Sequence, residues 1–310
     1  MRQAAAAADY LPFVRRGLQW LQTLVKGVLG PWSRRILFLF LSLLRPLPVG
    51  SLMPLEQPLR GQLALVTGGA QRVGRAICLQ LAQAGAQVAI HYHRSQDAAH
   101  ALAEELGQGA FAVAADLREL AQTREMFAQV TQGSQSGRVD ALVNNAALFA
   151  RTPLLPSASQ SPLDEAWQQQ FQEQWEQQLR VNLTAPQRCI QLAVAAGATA
   201  IVNVVDIAAW QPWAEFSAYS VAKAGLLQLT RVLARELAPR VRVSAVAPGM
   251  VLLPAESEPG ASAWTEKVRA RVPLGRVGEP SDVARAVCML LTEPFLTGVC
   301  LPVDGGQGLR

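Results

Sequence analysis

At 310 residues, half of them hydrophobic and 16% charged, the chain suffices for one large domain or two modest ones and is too apolar for a disordered or fibrous protein. A net charge of +5 would ordinarily suggest nucleic acid or an acidic membrane, but the surplus is local. Residues 1–52 carry seven basic side chains and one acid, Asp9, whereas the rest balances at −1, so the body gives no reason to invoke a nucleic-acid partner.

The leader, residues 1–52, reads in two pieces. Val14, Leu18, Leu21, Val25 and Val28 recur near helical period between Arg15, Arg16 and Lys26, which predicts a short basic amphipathic helix within residues 10–29. Gly30-Pro31 breaks it. The apolar run Ile36–Leu44 follows, interrupted only by Ser42, and falls well short of the roughly 20 residues a spanning helix needs. Three readings stay open: translation starting at Met53, peripheral membrane attachment, or a cleaved targeting segment. Any membrane contact is confined to this leader, and the body is expected in the cytoplasm.

From residue 53 onward one domain is expected. Short apolar runs predict strands at Leu63–Val66, Val88–His91, Phe111–Ala115, Ala141–Val143, Ala200–Val205, Val241–Ala247 and Val299–Val303. Between them, amphipathic stretches predict helices over about 73–84, 97–106, 120–130, a glutamine-rich region reaching Ala196, 217–237 and 281–291. Continuous apolar strands alternating with helices mean a parallel sheet covered on both faces: a doubly wound, Rossmann-type α/β fold of about seven strands. Cys78, Cys189, Cys288 and Cys300 lack metal-ligand or disulfide spacing, so buried reduced thiols and no metal site are expected.

The turn after the first strand reads Thr67-Gly68-Gly69-Ala70-Gln71-Arg72-Val73-Gly74. Glycines let the backbone approach a pyrophosphate, and the following helix N-terminus offers it unpaired N–H groups. This assigns Gly68, Arg72, Val73 and Gly74 to a dinucleotide. The second strand ends His91-Tyr92-His93-Arg94-Ser95, with no carboxylate to hold a ribose 2′-hydroxyl. Donors at His93, Arg94 and Ser95 suit a 2′-phosphate, hence NADPH. Asp116, followed by Leu117, is placed to accept from the adenine amino group. Asn145 and Ala146 close the fourth strand beside the cofactor.

Tyr219 and Lys223 stand four residues apart on one helix face, and the cation is expected to lower the pKa of the phenol. Asp206 ends the fifth strand, and Asn182 lies on the preceding helix. All four gather where strand ends open into a crevice, the usual ligand site of such sheets. Such a tyrosine passes a proton to an atom that has received hydride.

With Asn144-Asn145-Ala146, Pro248-Gly249 and Val303-Asp304-Gly305-Gly306, these motifs make residues 61–310 resemble a short-chain dehydrogenase/reductase from end to end. The resemblance adds Pro248 and Gly249 to the cofactor site and implies a homotetramer. Two departures are specific: Arg72 replaces the middle glycine of TGxxxGxG, and Asp206 stands where most members have serine. With HYHRS they resemble one branch, the pteridine and dihydromonapterin reductases. There Phe149 would sandwich a pterin against nicotinamide, although Ala147 replaces a substrate-touching serine of some members. The expectation is NADPH-dependent reduction of a pterin or folate to its tetrahydro form. Arg72, Phe149, Asp206 and Tyr219 would meet the substrate, Lys223 would also hold the nicotinamide ribose, and Asn182 would orient a water chain. The alternatives are a carbonyl reductase of the 3-oxoacyl type and a non-catalytic NADP-sensing protein. The segment 250–277, with Pro254, Glu256, Glu258 and Trp264, matches the family's substrate-covering loop and small helix.

Overall fold

In a computed structural model the described residues are 57–156, 161, 164–251 and 261–309. The chain divides into two compact units, Met1–Leu55 and Glu56–Arg310. The leader readings fall outside the described residues, as do Pro254, Glu256 and Glu258 of the expected covering loop.

Seven strands form one parallel sheet in the order β3-β2-β1-β4-β5-β6-β7. They are β1 (Leu63–Val66), β2 (Gln87–Tyr92), β3 (Phe111–Ala114), β4 (Ala141–Asn144), β5 (Ala200–Val204), β6 (Arg242–Pro248) and β7 (Cys300–Val303). Each expected strand is present to within a residue or two. The order reverses between β1 and β4, which opens the crevice at their carboxyl ends.

Alternation along a strand sends neighbouring side chains to opposite faces. Ala64 and Val66 of β1 join one core with Ile77 and Leu81, whereas Leu63 and Leu65 join another with Met126 and Ile190. Burying each such side chain is worth about 1.5–3 kcal/mol, and these two cores hold the sheet between its helical layers. The first core is covered by α1 (Arg72–Gln83), α2 (Gln96–Leu106) and, near the carboxyl end of the chain, Pro280–Thr292. The second is covered by α3 (Leu120–Gly133) and by the long helical region before β5.

That region is divided. It comprises α4 (Glu165–Leu179), a π-helical turn over Arg180–Thr184 and α5 (Ala185–Ala195). Such turns widen the backbone and concentrate at functional sites; this one contains Asn182. After β5 come a 3₁₀ turn (Ile207–Ala209), α6 (Ser217–Glu236), α7 (Ala261–Arg269), α8 (Pro280–Thr292) and a last 3₁₀ turn (Gln307–Leu309). Among the described residues no helix is long and apolar enough to cross a membrane.

The thiols depart from expectation in part. Cys78 and Cys189 are buried, and burial raises both thiol pKa values, that of Cys189 to about 12. Cys288 on α8 and Cys300 on the edge strand β7 are only partly buried. All four are free, and among the described residues no cluster could hold a metal ion.

Candidate active site

A cleft of about 690 Å³ opens over the carboxyl ends of β1, β2 and β4. Gly68, Arg72, Val73 and Gly74 line it on one side, and Asn145 and Ala146 on another. His93, Arg94, Ser95, Asp116 and Leu117 close the far end. The structure thus brings together eleven of the residues expected to hold a dinucleotide.

The glycine turn is too tight for side chains. A Cβ on Gly74 would lie 2.1 Å from the Gly68 carbonyl oxygen, and one on Gly68 would lie 3.0 Å from Ala146 Cα. Asn145 braces the turn by donating from Nδ2 to the carbonyls of Thr67 and Gly68, at 2.9 and 3.0 Å. The Thr67 hydroxyl in turn accepts from the amides of Asn145 and Ala146. Gln71, which caps α1, makes no side-chain capping bond, leaving first-turn N–H groups for an anion. Arg72 retains the left-handed backbone, φ 53°, that the glycine of TGxxxGxG would adopt without strain. A strained arginine facing the cleft is a placed cation.

These features fit a dinucleotide carrying a 2′-phosphate. The turn and the α1 N-terminus would cradle the pyrophosphate, and Arg94, His93 and Ser95 would face the 2′-phosphate. Two details differ from the sequence reading. His91 lies within the donor run but is buried: its Nδ1 accepts from the Gly68 amide at 3.0 Å, and Nε2 lies 3.0 Å from the Ala115 carbonyl. Burial lowers its pKa to about 4, so it braces the turn as a neutral ring. Asp116 is engaged by Arg118, which donates from Nε to Oδ1 at 2.9 Å and from a terminal nitrogen to Oδ2 at 2.5 Å. That hydrogen-bonded guanidinium lowers the Asp116 pKa to about 2. Arg118 also lines the cleft, and the run Asp116-Leu117-Arg118 was the only sequence signal for it.

Beyond the cleft Asp206, Tyr219 and Lys223 come together. Asp206, just past β5, caps the 3₁₀ turn by accepting from the Ala208 amide at 2.7 Å. Its other oxygen accepts from the Tyr219 hydroxyl at 2.9 Å. Lys223 is buried one turn further along α6, donating to the Val204 carbonyl at 2.8 Å with Nζ 5.7 Å from the Tyr219 ring centre. Burial lowers the Lys223 pKa to about 8, partly offset by Asp206. Burial likewise raises the Asp206 pKa, opposed by its hydrogen bonds and by Lys223.

The expected lowering of the tyrosine pKa is overturned. Burial, followed by the adjacent carboxylate, drives the Tyr219 pKa upward. The chain spacing reveals Lys223 but neither the depth of the phenol nor its direct bond to Asp206. Tyr219 is held as the protonated phenol, the state a proton donor needs.

Asn182 is fully buried, and its side chain serves a loop. Nδ2 donates to the Leu148 carbonyl at 2.8 Å and to Gln178 Oε1 at 3.0 Å, while Oδ1 accepts from the Leu148 amide at 3.0 Å. Both of its N–H donors are thereby used, which leaves the second lone pair of Oδ1 as the side chain's remaining site for a water. Pro248 and Gly249 lie at the end of β6 and do not line the cleft. A Cβ on Gly249 would lie 2.7 Å from that of Asp304, so this glycine admits the C-terminal turn.

Phe149 is 53% exposed and forms one wall of an aromatic corner. It stacks on Phe216 with ring centres 4.5 Å apart and meets Tyr219 edge-on at 4.9 Å and Trp213 edge-on at 5.8 Å. Trp213 and Phe216 were not singled out from the sequence. Their only signal was the aromatic spacing before Tyr219.

The family model described as enoyl-(acyl carrier protein) reductase matches residues 68–307. A 3-oxoacyl-(acyl-carrier-protein) reductase of Staphylococcus epidermidis is 33% identical over 254 residues, covering 79% of this chain and 98% of that protein. The chain belongs to the short-chain dehydrogenase/reductase family. Other relatives are a 3-oxoacyl-(acyl-carrier-protein) reductase of Synechocystis, 32% identical over 80% of this chain and 98% of its own length, and the granaticin polyketide synthase putative ketoacyl reductase 2 of Streptomyces violaceoruber, 32% identical over 79% and 96%. As a short-chain dehydrogenase/reductase the protein is an NAD(P)-dependent oxidoreductase. These relatives agree better with the 3-oxoacyl alternative than with the pteridine reductase branch, which none of them names.

Proposed function

We propose that this short-chain reductase uses NADPH to reduce a C=N bond in a dihydropterin or dihydrofolate-type ring. The observation that carries the reading is Asp206. One of its oxygens accepts from the Ala208 amide and the other from the Tyr219 hydroxyl, so the side chain is arranged as an acceptor, where a ketone oxygen needs a donor. Its remaining lone pairs suit N–H donors, which the amide and amino edge of a pterin offers side by side. Bound NADPH supplies the hydride. Tyr219 gives its phenolic proton toward the ring nitrogen, and Lys223 stabilises the phenolate that results. Asp206 holds the ring edge, and Phe149, Phe216 and Trp213 provide a flat apolar wall for a planar ring. Arg72 and Arg94 bind phosphate charge. A cytoplasmic homotetramer belongs to the same proposal through the family resemblance.

The relatives' names favour a second reading, reduction of the ketone of a 3-oxoacyl thioester. There Tyr219 would serve the carbonyl oxygen alone, without a neighbouring hydroxyl donor. Side-by-side NADPH-consumption assays with dihydrobiopterin and an acetoacetyl thioester separate the two. Turnover of the dihydropterin with little or none of the thioester is expected; brisk thioester turnover with an inert dihydropterin replaces this reading by the second.

A further inference from the structure

We infer that Thr152 is a positioning residue that locks the catalytic helix and the aromatic wall into one unit. The inference rests on the reading of Tyr219 as proton donor. Helix α6 begins two residues before Tyr219, yet its own N-cap residue is Phe216, which makes no side-chain capping bond. First-turn amides of a helix need partners. The Ala218 amide finds one 66 residues back along the chain, in the hydroxyl of Thr152, at 3.1 Å.

The attachment has more than one bond. The Thr152 amide donates to the Glu215 carbonyl at 2.7 Å, and the Ser217 hydroxyl donates to the Thr152 carbonyl at 2.7 Å. The hydroxyls of Thr152 and Ser217 stand 3.4 Å apart, and Thr152 and Phe216 form an isolated β-bridge. Thr152 is wholly buried. Next to it, Arg151 pairs with Glu215, a non-glycine residue held at φ 67°. Backbone strain of that kind persists only where neighbours enforce it.

Two parts of the site hang on this joint. Phe149 precedes Thr152 by three residues, and Tyr219 follows Ala218 directly. Their rings meet 4.9 Å apart beside the stitched segments. Helix α6 also carries Lys223, so a shift at its first turn would move the phenol relative to Asp206. Misplacement by about 1 Å can cost a hundredfold in rate. Thr152 therefore acts on proton transfer through Tyr219, without touching cofactor or substrate.

The test compares Thr152→Val, which keeps the shape and loses the hydroxyl, with Thr152→Ser, which restores it. The chain has 3 tyrosines, and among the described residues only Tyr219 lies here, so ¹³Cζ-tyrosine labelling with Tyr219→Phe as the assignment control reports on its phenol without any substrate. Thr152→Val is expected to shift that resonance and lower kcat for dihydrobiopterin about tenfold, leaving KM for NADPH within twofold. Thr152→Ser should return both values. An unmoved resonance and unchanged kcat in Thr152→Val, even with a lower melting temperature, would reduce Thr152 to a structural strut and overturn the inference. If wild-type protein reduces no dihydropterin, the functional reading fails separately, kcat is measured with the acetoacetyl thioester, and the resonance still decides the role of Thr152.

Discussion

Tyr219 donates a 2.9 Å hydrogen bond to Asp206, joining the first turn of α6 to the segment just past β5. Burial is the first cause of the raised Tyr219 pKa, and the Asp206 charge and this bond push it further in the same direction. Replacing Asp206 with asparagine preserves shape and removes the carboxylate, so the Tyr219 pKa should fall. Ultraviolet titration of the phenolate against the Tyr219→Phe background measures this directly. An unchanged titration would show that burial alone sets the phenol.

Tyr219→Phe should cut turnover by about 10²–10⁴, the range expected for losing a positioned general acid. NADPH affinity, measured by fluorescence titration, should remain within a few-fold of wild type. Loss of binding together with turnover would mean that the ring's main role is structural.

His91 makes stability depend on acid. Its pKa is lowered from the usual 6.5 to about 4 in the folded chain, so between those values the unfolded chain binds more protons. Folding stability should fall as pH drops from about 6.5 toward 4, by about 3 kcal/mol from this group. His91→Asn, which retains an acceptor for the Gly68 amide, should show a smaller loss between the two pH values in thermal melts. Equal losses would contradict the assignment.

Arg72 and Gly74 test the glycine turn from opposite directions. Arg72→Gly removes a left-handed non-glycine residue and should stabilise the fold by about 1 kcal/mol while weakening NADPH binding. Gly74→Ala places a Cβ 2.1 Å from the Gly68 carbonyl and should abolish binding even where the protein folds. Isothermal titration against NADPH reads both, and tighter binding by Arg72→Gly would remove Arg72 from the phosphate site.

Arg94→Ala should reduce the preference for NADPH over NADH about tenfold or more, through loss of the charge facing the 2′-phosphate. The ratio of kcat/KM for the two cofactors checks it.

The sheet was legible because its central strands β1, β4 and β5 are buried on both faces and therefore write continuous apolar runs. The phosphate turn and the Tyr219–Lys223 pair were legible because their spacing is local. Features made by distant segments were not. Phe216 and Trp213 meet Phe149 only through the stitching at Thr152, and Asp116 appears available until Arg118 folds back on it. The spacing of Tyr219 and Lys223 suggested a lowered tyrosine pKa, whereas burial and Asp206 reverse its direction. Asn182 lies where expected in the chain, and its bonds to the Leu148 backbone and to Gln178 carried no signal in the sequence.

The central claim is that Asp206 directs this short-chain reductase toward an N–H-bearing ring. The most direct measurement is kcat/KM with NADPH for dihydrobiopterin and for an acetoacetyl thioester, in wild type and Asp206→Ser. The account predicts that wild type favours dihydrobiopterin and that Asp206→Ser lowers that value about a hundredfold while raising the value for the thioester. A wild type that favours the thioester, or an Asp206→Ser variant with an unchanged ratio, would contradict it.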